Sequence, residues 1–538
     1  MPALSFSHVS FAWPHGRALF EDLSFALPPG LTALVGRNGI GKTTLIRLAL
    51  GGLDPTAGRV ERPPTVAYVP QDVALARGDS VAEVLGVAPR LRALRAIEAG
   101  SADPADYDAL ADDWGVEERS RAVLAGLGLD VSLDRPVECT SGGEAVLLAV
   151  GAALLAGPDL LVLDEPTNNL DGASRAPLAA RLRTRAGATL VVTHDRALLE
   201  GVDRIAELRE REDRTADLRW HGGPLAVLEE SHEAERGAVA RAVSNATAEV
   251  ARERRALVAH VEGAGRKRRA GEKARAERRV VGLAADAKRH QAERTDARVR
   301  GIHQQRLEQA RDRLDQARAA VPRDCAIRID LPDTEVPARR LVMEARGLTT
   351  RTGSVLDALV RGPERLHLDG PNGAGKSTLI ATLLGELAPA AGEVAVPVPV
   401  GVLRQRLDHL DDARSVLGNV RRAANAASEQ EIRDQLGRFQ IRGATADAAA
   451  GTLSGGERFR AALACVLLAR PAPQLLVLDE PTNNLDLDSQ AQLVEALAGF
   501  AGALLVVSHD AAFVEAVAPT RRWTVEPVAG RVADVMLT

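Results

Sequence analysis

The 538-residue sequence predicts an α/β fold in which two similar domains are joined by a helical segment. Three observations predict this fold. The eleven residues LVLDEPTNNLD occur at 161–171 and again, unchanged, at 476–486, so the chain contains an internal repeat. Upstream of each copy, an apolar run, a glycine-rich loop and a helical pattern follow one another, which is the order strand, loop, helix. Between the halves, a stretch rich in Ala, Arg and Glu carries apolar residues at helical spacing, which predicts two antiparallel helices that pack through an apolar seam. These residues are Val239, Val243, Ala246, Val250, Leu257 and Val261, and, less regularly, Ile302, Leu307, Ala310, Leu314 and Ala317.

The composition excludes several classes of protein. The net charge of -5 gives the whole chain no bias toward polyanions, so any contact with nucleic acid must be local. The three cysteines, Cys139, Cys325 and Cys465, are far apart and lack metal-ligand spacing, which argues against a disulfide framework or a zinc site. We therefore expect a protein of the reducing cytoplasm.

Membrane insertion and secretion are not predicted. The longest apolar run, residues 145–157, stops at Pro158 and is shorter than the roughly 18 residues that span a bilayer. The first residues lack a basic segment followed by an apolar one, so they do not predict a signal peptide.

The two glycine-rich loops predict phosphate binding. Residues 36–44 read GRNGIGKTT and residues 370–378 read GPNGAGKST, and both match GxxxxGK followed by Ser or Thr after a strand and before a helix. Glycines let backbone N–H groups hold phosphates, the lysine contacts the β and γ phosphates, and the hydroxyl ligates magnesium. The predicted nucleotide-binding residues are Gly36, Asn38, Gly39, Gly41, Lys42, Thr43 and Thr44, and Gly370, Asn372, Gly373, Gly375, Lys376, Ser377 and Thr378.

The repeated segment predicts a metal ligand and a general base in each half. LLVLD is a buried strand that ends in Asp164 or Asp479, and a carboxylate there can complete a magnesium site with Thr43 or Ser377. Glu165 and Glu480 follow directly and can accept a proton from an attacking water. The alternative, a solvated acidic pair at a strand end, is disfavoured because both pairs follow a phosphate loop.

A histidine follows each predicted metal ligand at the same distance. His194 ends the run GATLVVTH and His509 ends GALLVVSH, and each lies 30 residues after its aspartate. A single histidine in this position is more often structural. The equal interval in both halves favours a sensor of the γ-phosphate.

Two serine-glycine motifs predict further phosphate contacts. SGGE begins at Ser141 and at Ser454, 23 and 25 residues before Asp164 and Asp479, and each motif leads into a helix. A hydroxyl, free N–H groups and the positive end of a helix dipole attract anions. The motif residues are Ser141, Gly142, Gly143, Ser454, Gly455 and Gly456.

Taken together, these residues resemble the ABC ATPase superfamily. Gln71 and Gln405, each 29 residues after its lysine, resemble the Q-loop glutamines, and Asp171 and Asp486 resemble the D-loop residues. In this superfamily two ATP molecules lie head to tail between two halves, so one chain with both halves implies two composite sites. The resemblance implies a site one that combines Lys42, Thr43, Gln71, Asp164, Glu165 and His194 with Ser454, Gly455 and Gly456. It implies a site two that combines Lys376, Ser377, Gln405, Asp479, Glu480 and His509 with Ser141, Gly142 and Gly143.

Within the superfamily, the chain resembles the ABC-F family, whose members act on ribosomes. That family usually reads DEPTNHLD, whereas Asn169 and Asn484 replace the histidine in this chain. The interval from Q-loop glutamine to SGG serine is 70 residues in the first half and 49 in the second. The additional 21 residues fall near 88–118, where ABC-F proteins place an arm; a simple insertion into the helical subdomain is the alternative.

The predicted domains are residues 1–222, a helical hairpin over 223–325, and residues 326–538. The hairpin turn is basic, with eight basic and two acidic residues within 266–279. Arginine pairs well with phosphate oxygens, so we expect RNA contacts there, and a solvated charged helix is the alternative. The predicted RNA-binding residues are Arg266, Lys267, Arg268, Arg269, Lys273, Arg275, Arg278 and Arg279.

The resemblance implies a cytoplasmic, monomeric ATPase that uses ATP and Mg²⁺ and binds ribosomal RNA and P-site tRNA near the exit site. The composition and long linker resemble the antibiotic-resistance members, which protect the ribosome from drugs. A housekeeping translation factor is the close rival. The ATP-binding subunit of a drug exporter and a DNA-repair ATPase are the alternatives from other classes.

Differences between the halves predict unequal sites. Trp13 can stack on adenine in the first half, whereas the second half offers no aromatic residue in LTTRTGS. Six residues after the SGG serine, the halves carry Leu147 and Arg460. We therefore expect Glu165→Gln and Glu480→Gln variants to differ in turnover.

Overall fold

A computed structural model describes residues 4–14, 16–76, 78–168, 170–211, 213–276, 283–319, 332–404, 410–425, 427–453, 455–483, 485–526 and 532–536. The chain divides into two compact units. One unit is Met1–Ala226 together with Ala326–Thr538, and the other is Val227–Cys325. Both repeated halves therefore belong to the first unit.

The first half is built on one sheet, which has nine strands among the described residues, in the order β4-β1-β2-β9-β8-β3-β7-β6-β5. Its strands are β1 (Leu4–Ala12), β2 (Ala18–Leu27), β3 (Gly30–Gly36), β4 (Ala57–Glu61), β5 (Val66–Val69), β6 (Leu160–Asp164), β7 (Ala188–Val192), β8 (Arg204–Glu210) and β9 (Ala216–Gly222). Its helices are α1 (Lys42–Leu50), α2 (Val81–Val84), α3 (Ala88–Glu98), α4 (Pro104–Leu110), α5 (Val116–Gly126), α6 (Gly142–Ala156), α7 (Gly172–Arg183) and α8 (Arg196–Leu199).

The hairpin between the halves consists of α9 (Leu225–Ala276) and α10 (Leu283–Ala319). The second half then repeats the α/β pattern, with sheets in the orders β14-β15-β16-β12-β17-β18 and β11-β10-β13. Its strands are β10 (Leu341–Thr349), β11 (Val355–Arg361), β12 (Arg365–Asp369), β13 (Ala391–Ala395), β14 (Val400–Leu403), β15 (Leu475–Asp479), β16 (Ala503–Val507), β17 (Arg521–Val525) and β18 (Val532–Met536). Its helices are α11 (Lys376–Leu383), α12 (Val416–Ala423), α13 (Glu429–Arg438), α14 (Ala444–Asp447), α15 (Gly455–Leu467), α16 (Leu487–Ala498) and α17 (Ala511–Val517). The predicted α/β class with two nucleotide-binding domains and a helical hairpin is confirmed.

Parallel strands bring the motifs of each half to one edge of its sheet. In the first half, β3 pairs parallel with β7, and β7 pairs parallel with β6. Every residue of β6 and β7 is buried, which explains their uninterrupted apolar sequences. Because the carboxyl ends of parallel strands share an edge, the phosphate loop after β3, Asp164 at the end of β6 and His194 after β7 meet there. The strands β12, β15 and β16 do the same in the second half.

The halves differ most in their helical segments. Residues 88–118, for which the sequence predicts an arm, contain α3, α4 and the start of α5. In the second half, only residues 424–428 separate α12 from α13. The rings of Tyr107 and Trp114 lie 6.4 Å apart in the longer segment, and both side chains are exposed.

The two long helices contact each other in antiparallel fashion. Arg313 on α10 pairs with Glu249 on α9 at 2.8 Å, and the rings of His260 and His303 lie 5.6 Å apart. The residues buried in this seam are Ala246, Leu307, Ala310 and Leu314.

The sequence placed Val261 and Ile302 in the apolar pattern of these helices, and the structure shows both exposed. The reason is helical phase. His260 lies two heptads after the buried Ala246, and His303 lies one heptad before the buried Ala310. Two facing helices keep the same side in contact every seven residues, so a residue one position away points elsewhere.

None of the helices in the described ranges combines the length and the apolar character that crossing a membrane requires.

Candidate nucleotide sites

The first glycine of each phosphate loop has a backbone that other residues rarely adopt. Gly36 has a φ of 148° and Gly370 a φ of 145°. A Cβ on Gly36 would lie 2.7 Å from Leu208 O, and one on Gly370 would lie 2.9 Å from Val525 O. Only glycine permits the chain to turn so close to the neighbouring strand, which explains why both loops begin with it.

Each loop lysine joins its loop to a histidine of the same half, His194 or His509, and we call these two residues the switch histidines. Lys42 Nζ lies 2.5 Å from Gly36 O and 3.0 Å from His194 Nε2. Lys376 Nζ lies 2.5 Å from Gly370 O and 3.0 Å from His509 Nε2. The structure therefore brings together, in both halves, the lysine and the histidine that the sequence singled out.

The switch histidines are neutral at physiological pH. Burial and, to a smaller extent, the adjacent lysine lower the pKa of His194 to about 3 and that of His509 to about 4. A neutral imidazole can accept a hydrogen bond from the lysine ammonium. Burial also lowers the pKa of both lysines, while the nearby carboxylates oppose that shift.

The predicted general bases have an unusual backbone. Glu165 has a φ of 49° and Glu480 a φ of 46°, in the left-handed region that non-glycine residues rarely occupy. In each case the backbone N–H donates to the neighbouring strand at 2.9 Å, to Val192 O and Val507 O. Strained backbone of this kind occurs at functional sites, where the fold fixes a side chain in place. Oε1 of each glutamate lies 3.4 Å from Nε2 of its switch histidine.

Burial makes both glutamates difficult to ionise. Burial raises the pKa of Glu165 to about 8 and also raises the pKa of Glu480. Lys42 and Lys376 respectively oppose the shift, and Arg175 further opposes it at Glu480. The two bases therefore have different electrostatic surroundings, although each lies in an identical eleven-residue segment.

The residues predicted to ligate magnesium fit a hard cation. The Ser377 hydroxyl is hydrogen-bonded to Asp479, so two oxygen donors adjoin in the second half. Burial raises the pKa of both Asp164 and Asp479, and a cation bound there would stabilise their ionised form. Among the described residues, no group of three or more His, Cys, Asp or Glu could hold a metal. A Mg²⁺ ion would therefore need the nucleotide phosphates and water as additional ligands, as is usual for this ion.

Each phosphate loop is held by an aspartate of the opposite half. The backbone N–H of Asn38 donates to Asp486 Oδ2 at 2.8 Å, and that of Asn372 donates to Asp171 Oδ2 at 3.3 Å. The other oxygen of each aspartate caps the helix that follows it, with distances of 2.8 Å to Ser489 N and 3.0 Å to Ser174 N. The predicted D-loop aspartates thus bridge the two halves.

Both serine-glycine segments lead into helices, and the one of the second half adjoins the phosphate loop of the first half. A Cβ on Gly455, the first residue of α15, would lie 3.4 Å from Asn38 Cβ of the other half. Ser141 caps α6, because its Oγ accepts from Glu144 N at 3.2 Å and Glu144 Oε2 accepts from Ser141 N at 2.7 Å. Such reciprocal caps fix the start of a helix.

In site one, the phosphate loop makes shorter contacts with the opposite half than the phosphate loop of site two does. Its D-loop contact is 2.8 Å, compared with 3.3 Å in site two. Arg37, in the first loop, also lies 3.9 Å from Asp488 of the second half. A Cβ on Gly142 would meet no atom within 4 Å, whereas one on Gly455 would touch Asn38.

Some predicted residues lie at the margin of the sites or outside the described residues. Trp13 is 43% exposed and packs edge-on against Phe11, with ring centroids 5.2 Å apart. Gln71 is exposed. The predicted residues Gln405 and Ser454 lie outside the described residues, as do Asn169 and Asn484.

Sequence reasoning missed two side chains near the sites. Tyr68 Oη lies 3.5 Å from Asp164 Oδ2, and burial raises the pKa of this phenol. The equivalent residue of the second half is Val402, since both positions lie 26 residues after the loop lysine. Arg175 on α7 lies 3.5 Å from His509 O of the other half. An alignment of the two halves would have shown that Tyr68 and Arg175 are replaced by other residues in the second half.

Comparison with known proteins agrees with this geometry. The family model described as ABC transporter matches residues 20–168 and 356–483. Among solved structures, the chain resembles the RNase-L Inhibitor with a TM-score of 0.59 and 19% identity, over 98% of this chain and 90% of that one. At that identity the likeness establishes the fold.

Curated relatives match over nearly the whole chain. The tylosin resistance ATP-binding protein TlrC of Streptomyces fradiae is 35% identical over 529 residues, which are 92% of each chain. The probable ATP-binding protein YheS of Escherichia coli K12 is 32% identical over 92% of this chain and 74% of its own length. The energy-dependent translational throttle protein EttA of the same strain is 30% identical over 94% and 89%.

Two repeated nucleotide-binding halves in one chain, with the matching family model, define a tandem ABC-type ATPase, an enzyme that hydrolyses ATP. The relatives narrow the assignment. The chain belongs to the ABC-F family, as the DEPTN-x-LD motif indicates.

We predict that Glu165→Gln raises the melting temperature of the nucleotide-free protein by an amount that grows between pH 5 and pH 8. The folded-state pKa of about 8 exceeds that of an unfolded glutamate, about 4.3, so folding favours the protonated form. The wild type therefore loses stability as pH rises through this window, whereas glutamine has no proton to release.

Thermal unfolding at pH 5, 6.5 and 8 measures this effect. Glu118→Gln, at an exposed position of α5, is the matched control and should give the same difference at each pH. A Glu165→Gln difference that does not depend on pH would contradict the prediction.

Proposed function

We propose that the protein is a cytoplasmic, monomeric ABC-F ATPase that binds the ribosome near its exit site and contacts P-site tRNA. The two contacts between D-loop aspartates and opposite phosphate loops support this proposal most directly. A chain that completes both ATP sites within itself needs no second ABC subunit. ATP can then close the two halves, and hydrolysis can release the bound state.

In the proposed reaction, each half supplies most of one site. Lys42 and Lys376 bind the β and γ phosphates, and Glu165 and Glu480 accept a proton from the attacking water. The neutral switch histidines orient the γ-phosphate and the glutamate together. A bound Mg²⁺ neutralises phosphate charge and would be held by Thr43 and Asp164 in site one and by Ser377 and Asp479 in site two.

We propose that Glu165 becomes a stronger base when its site is loaded, and this change follows from the electrostatics of the site. Burial raises the pKa of Glu165 to about 8, so it holds a proton at neutral pH. A cation near Asp164 favours the ionised carboxylate, because opposite charge lowers the pKa of an acid. Glu165 would thus become a base when the site is loaded.

The hairpin is the proposed RNA-binding element. The side chains of Arg266, Arg269 and Lys273 are exposed on α9. Lys267, Arg268 and Arg275 are further residues of this helix, and Arg278 and Arg279 lie outside the described residues. Exposed basic side chains bind phosphates without sequence preference, which suits a folded RNA partner.

Antibiotic resistance by ribosome protection is the proposed biological role. The support is the 35% identity to a relative named for tylosin resistance, over 92% of both chains. A housekeeping role in translation is the second candidate, supported by the 30% identity to a relative named a translational throttle protein. Susceptibility to antibiotics separates these two roles.

We expect the Glu165→Gln, Glu480→Gln double variant to co-sediment with ribosomes in ATP, and much less in ADP. The variant binds ATP but lacks both bases, so it cannot leave the closed state by hydrolysis. Adding Lys42→Ala and Lys376→Ala gives the control, which should remain in the supernatant. Equal sedimentation in ATP and ADP would argue against the ATP-driven binding.

We expect expression of the wild type in a sensitive bacterium to raise the inhibitory concentration of a macrolide at least fourfold. The double glutamine variant should give no protection, because it cannot cycle. Growth inhibition by the variant, together with no protection by the wild type, would favour the housekeeping role.

We predict that the triple variant Arg266→Gln, Arg269→Gln, Lys273→Gln binds ribosomes with a weaker salt dependence. Each lost phosphate contact lowers the slope of log K against log salt by roughly 0.7 to 0.9, so the total change is about 2. Three exposed arginines of the first half, Arg17, Arg59 and Arg211, changed to glutamine give the charge-matched control. An identical slope for both triple variants would contradict RNA binding by the hairpin.

A further inference from the structure

Arg175 is a partly buried arginine of the first half that no ATPase motif accounts for. It lies on α7, four residues after the D-loop Asp171, and its side chain is only 15% exposed. Its Nε donates to Leu170 O at 3.0 Å, and its Nη1 lies 3.3 Å from Asp195 Oδ2. Two contacts within its own half therefore fix the guanidinium.

The same guanidinium reaches the opposite half. Arg175 Nη1 donates to the backbone carbonyl of His509 at 3.5 Å. The ring of His509 lies 3.0 Å from Lys376 Nζ and 3.4 Å from Glu480 Oε1. His509 thus contacts Arg175 through its backbone and contacts Lys376 and Glu480 of site two through its ring.

Asp195 connects this contact to site one. It follows the switch histidine His194 directly, and its Oδ1 caps α8 by accepting from Ala197 N at 2.9 Å. Its Oδ2 faces Arg175. The chain of contacts Asp195, Arg175, His509 therefore joins the segments that carry the two switch histidines.

The second half lacks an arginine at the equivalent position. Gln490 lies four residues after Asp486, and its Nε2 is 3.4 Å from Leu485 O, the same local contact that Arg175 makes. Among the described residues, the amide of Gln490 makes no hydrogen bond to His194. Glutamine is shorter and uncharged, so position 490 supplies no cation equivalent to Arg175.

We propose that Arg175 is a positioning residue of site two, supplied by the first half, which holds the segment of His509 and couples it to that of His194. A charge-assisted hydrogen bond to a partly buried carbonyl is stronger than a neutral one and restricts the backbone that carries the imidazole. The position of the imidazole in turn sets the geometry around Glu480. Displacements of about 1 Å at such a site can cost roughly 100-fold in rate.

This inference rests on the proposed roles of Glu165 and Glu480, and the experiment uses them. Glu165→Gln leaves site two as the hydrolysing site, and Glu480→Gln leaves site one. Arg175→Gln, which copies the residue of the other half, is introduced into each background. Arg181→Gln, at an exposed arginine of the same helix, is the control with the same change in charge.

We expect Arg175→Gln to lower kcat about tenfold or more in the Glu165→Gln background, with KM for ATP changed less than twofold. The loss in the Glu480→Gln background should be at least fivefold smaller. Arg181→Gln should change neither constant by more than twofold, and each Arg175→Gln or Arg181→Gln variant should have the melting temperature of its own Glu→Gln background within the error. A positioning role predicts this separation of kcat from KM, whereas a general structural role predicts equal loss at both sites.

Equal losses in the two backgrounds, or a rise in KM at unchanged kcat, would overturn the inference while leaving the proposed bases in place. Hydrolysis that persists in the Glu165→Gln, Glu480→Gln double variant would instead overturn the proposed bases, and this inference with them.

Discussion

The structure depends on a single arrangement that occurs twice: an aspartate that serves both halves at once. One oxygen of Asp486 caps its own helix α16, and the other accepts a hydrogen bond from the phosphate loop of the first half. Asp171 does the same in the opposite direction. Because each carboxylate is shared, the position of a helix in one half is tied to the position of a phosphate loop in the other. Each proposed ATP site therefore draws on both halves.

Burial is the second constraint, and it explains the chemistry. Lysine, histidine and glutamate adjoin in each half within a buried space, where every charge is expensive unless it is paired. The histidines are therefore neutral, and the pKa of the glutamates is raised. A site organised in this way needs little rearrangement when ATP and a cation supply the missing charges. The left-handed backbone of Glu165 and Glu480 belongs to the same organisation, since it fixes the direction of each carboxylate.

Much of this arrangement follows from the sequence because parallel strands align their carboxyl ends. With the phosphate loop and the strand ending in Asp164 identified, the equal spacing of His194 and His509 is enough to predict a shared edge. The predicted closeness of Lys42 and His194 is an example, at 3.0 Å. Tyr68 and Arg175 could not be predicted in this way. Their contacts join segments that are distant in sequence, and no local pattern encodes them.

In the hairpin, the spacing of apolar residues alone did not identify all the residues that face the partner helix. Apolar residues marked two helices correctly, but the sequence assigned Val261 and Ile302 to the seam, and the facing residues are His260 and His303. A one-residue error in phase rotates the assigned face by about 100°, and only the partner helix determines the phase. The difference between the two proposed ATP sites is also decided by tertiary contacts. Arg175 and Gln490 occupy equivalent positions, but only the longer, charged Arg175 contacts the segment of the opposite switch histidine.

Cross-half completion of the ATP sites is tested most directly by the ATPase rates of two double variants. Lys42→Ala disables the loop of site one, and an aspartate at Gly455 or Gly142 puts a negative charge where a phosphate should bind. If the halves pair head to tail, Lys42→Ala with Gly455→Asp damages one site twice and keeps the rate of Lys42→Ala alone within about twofold. Lys42→Ala with Gly142→Asp damages both sites and loses nearly all activity. The reverse order of rates would show that each half builds its own site, and would contradict head-to-tail pairing of the two halves.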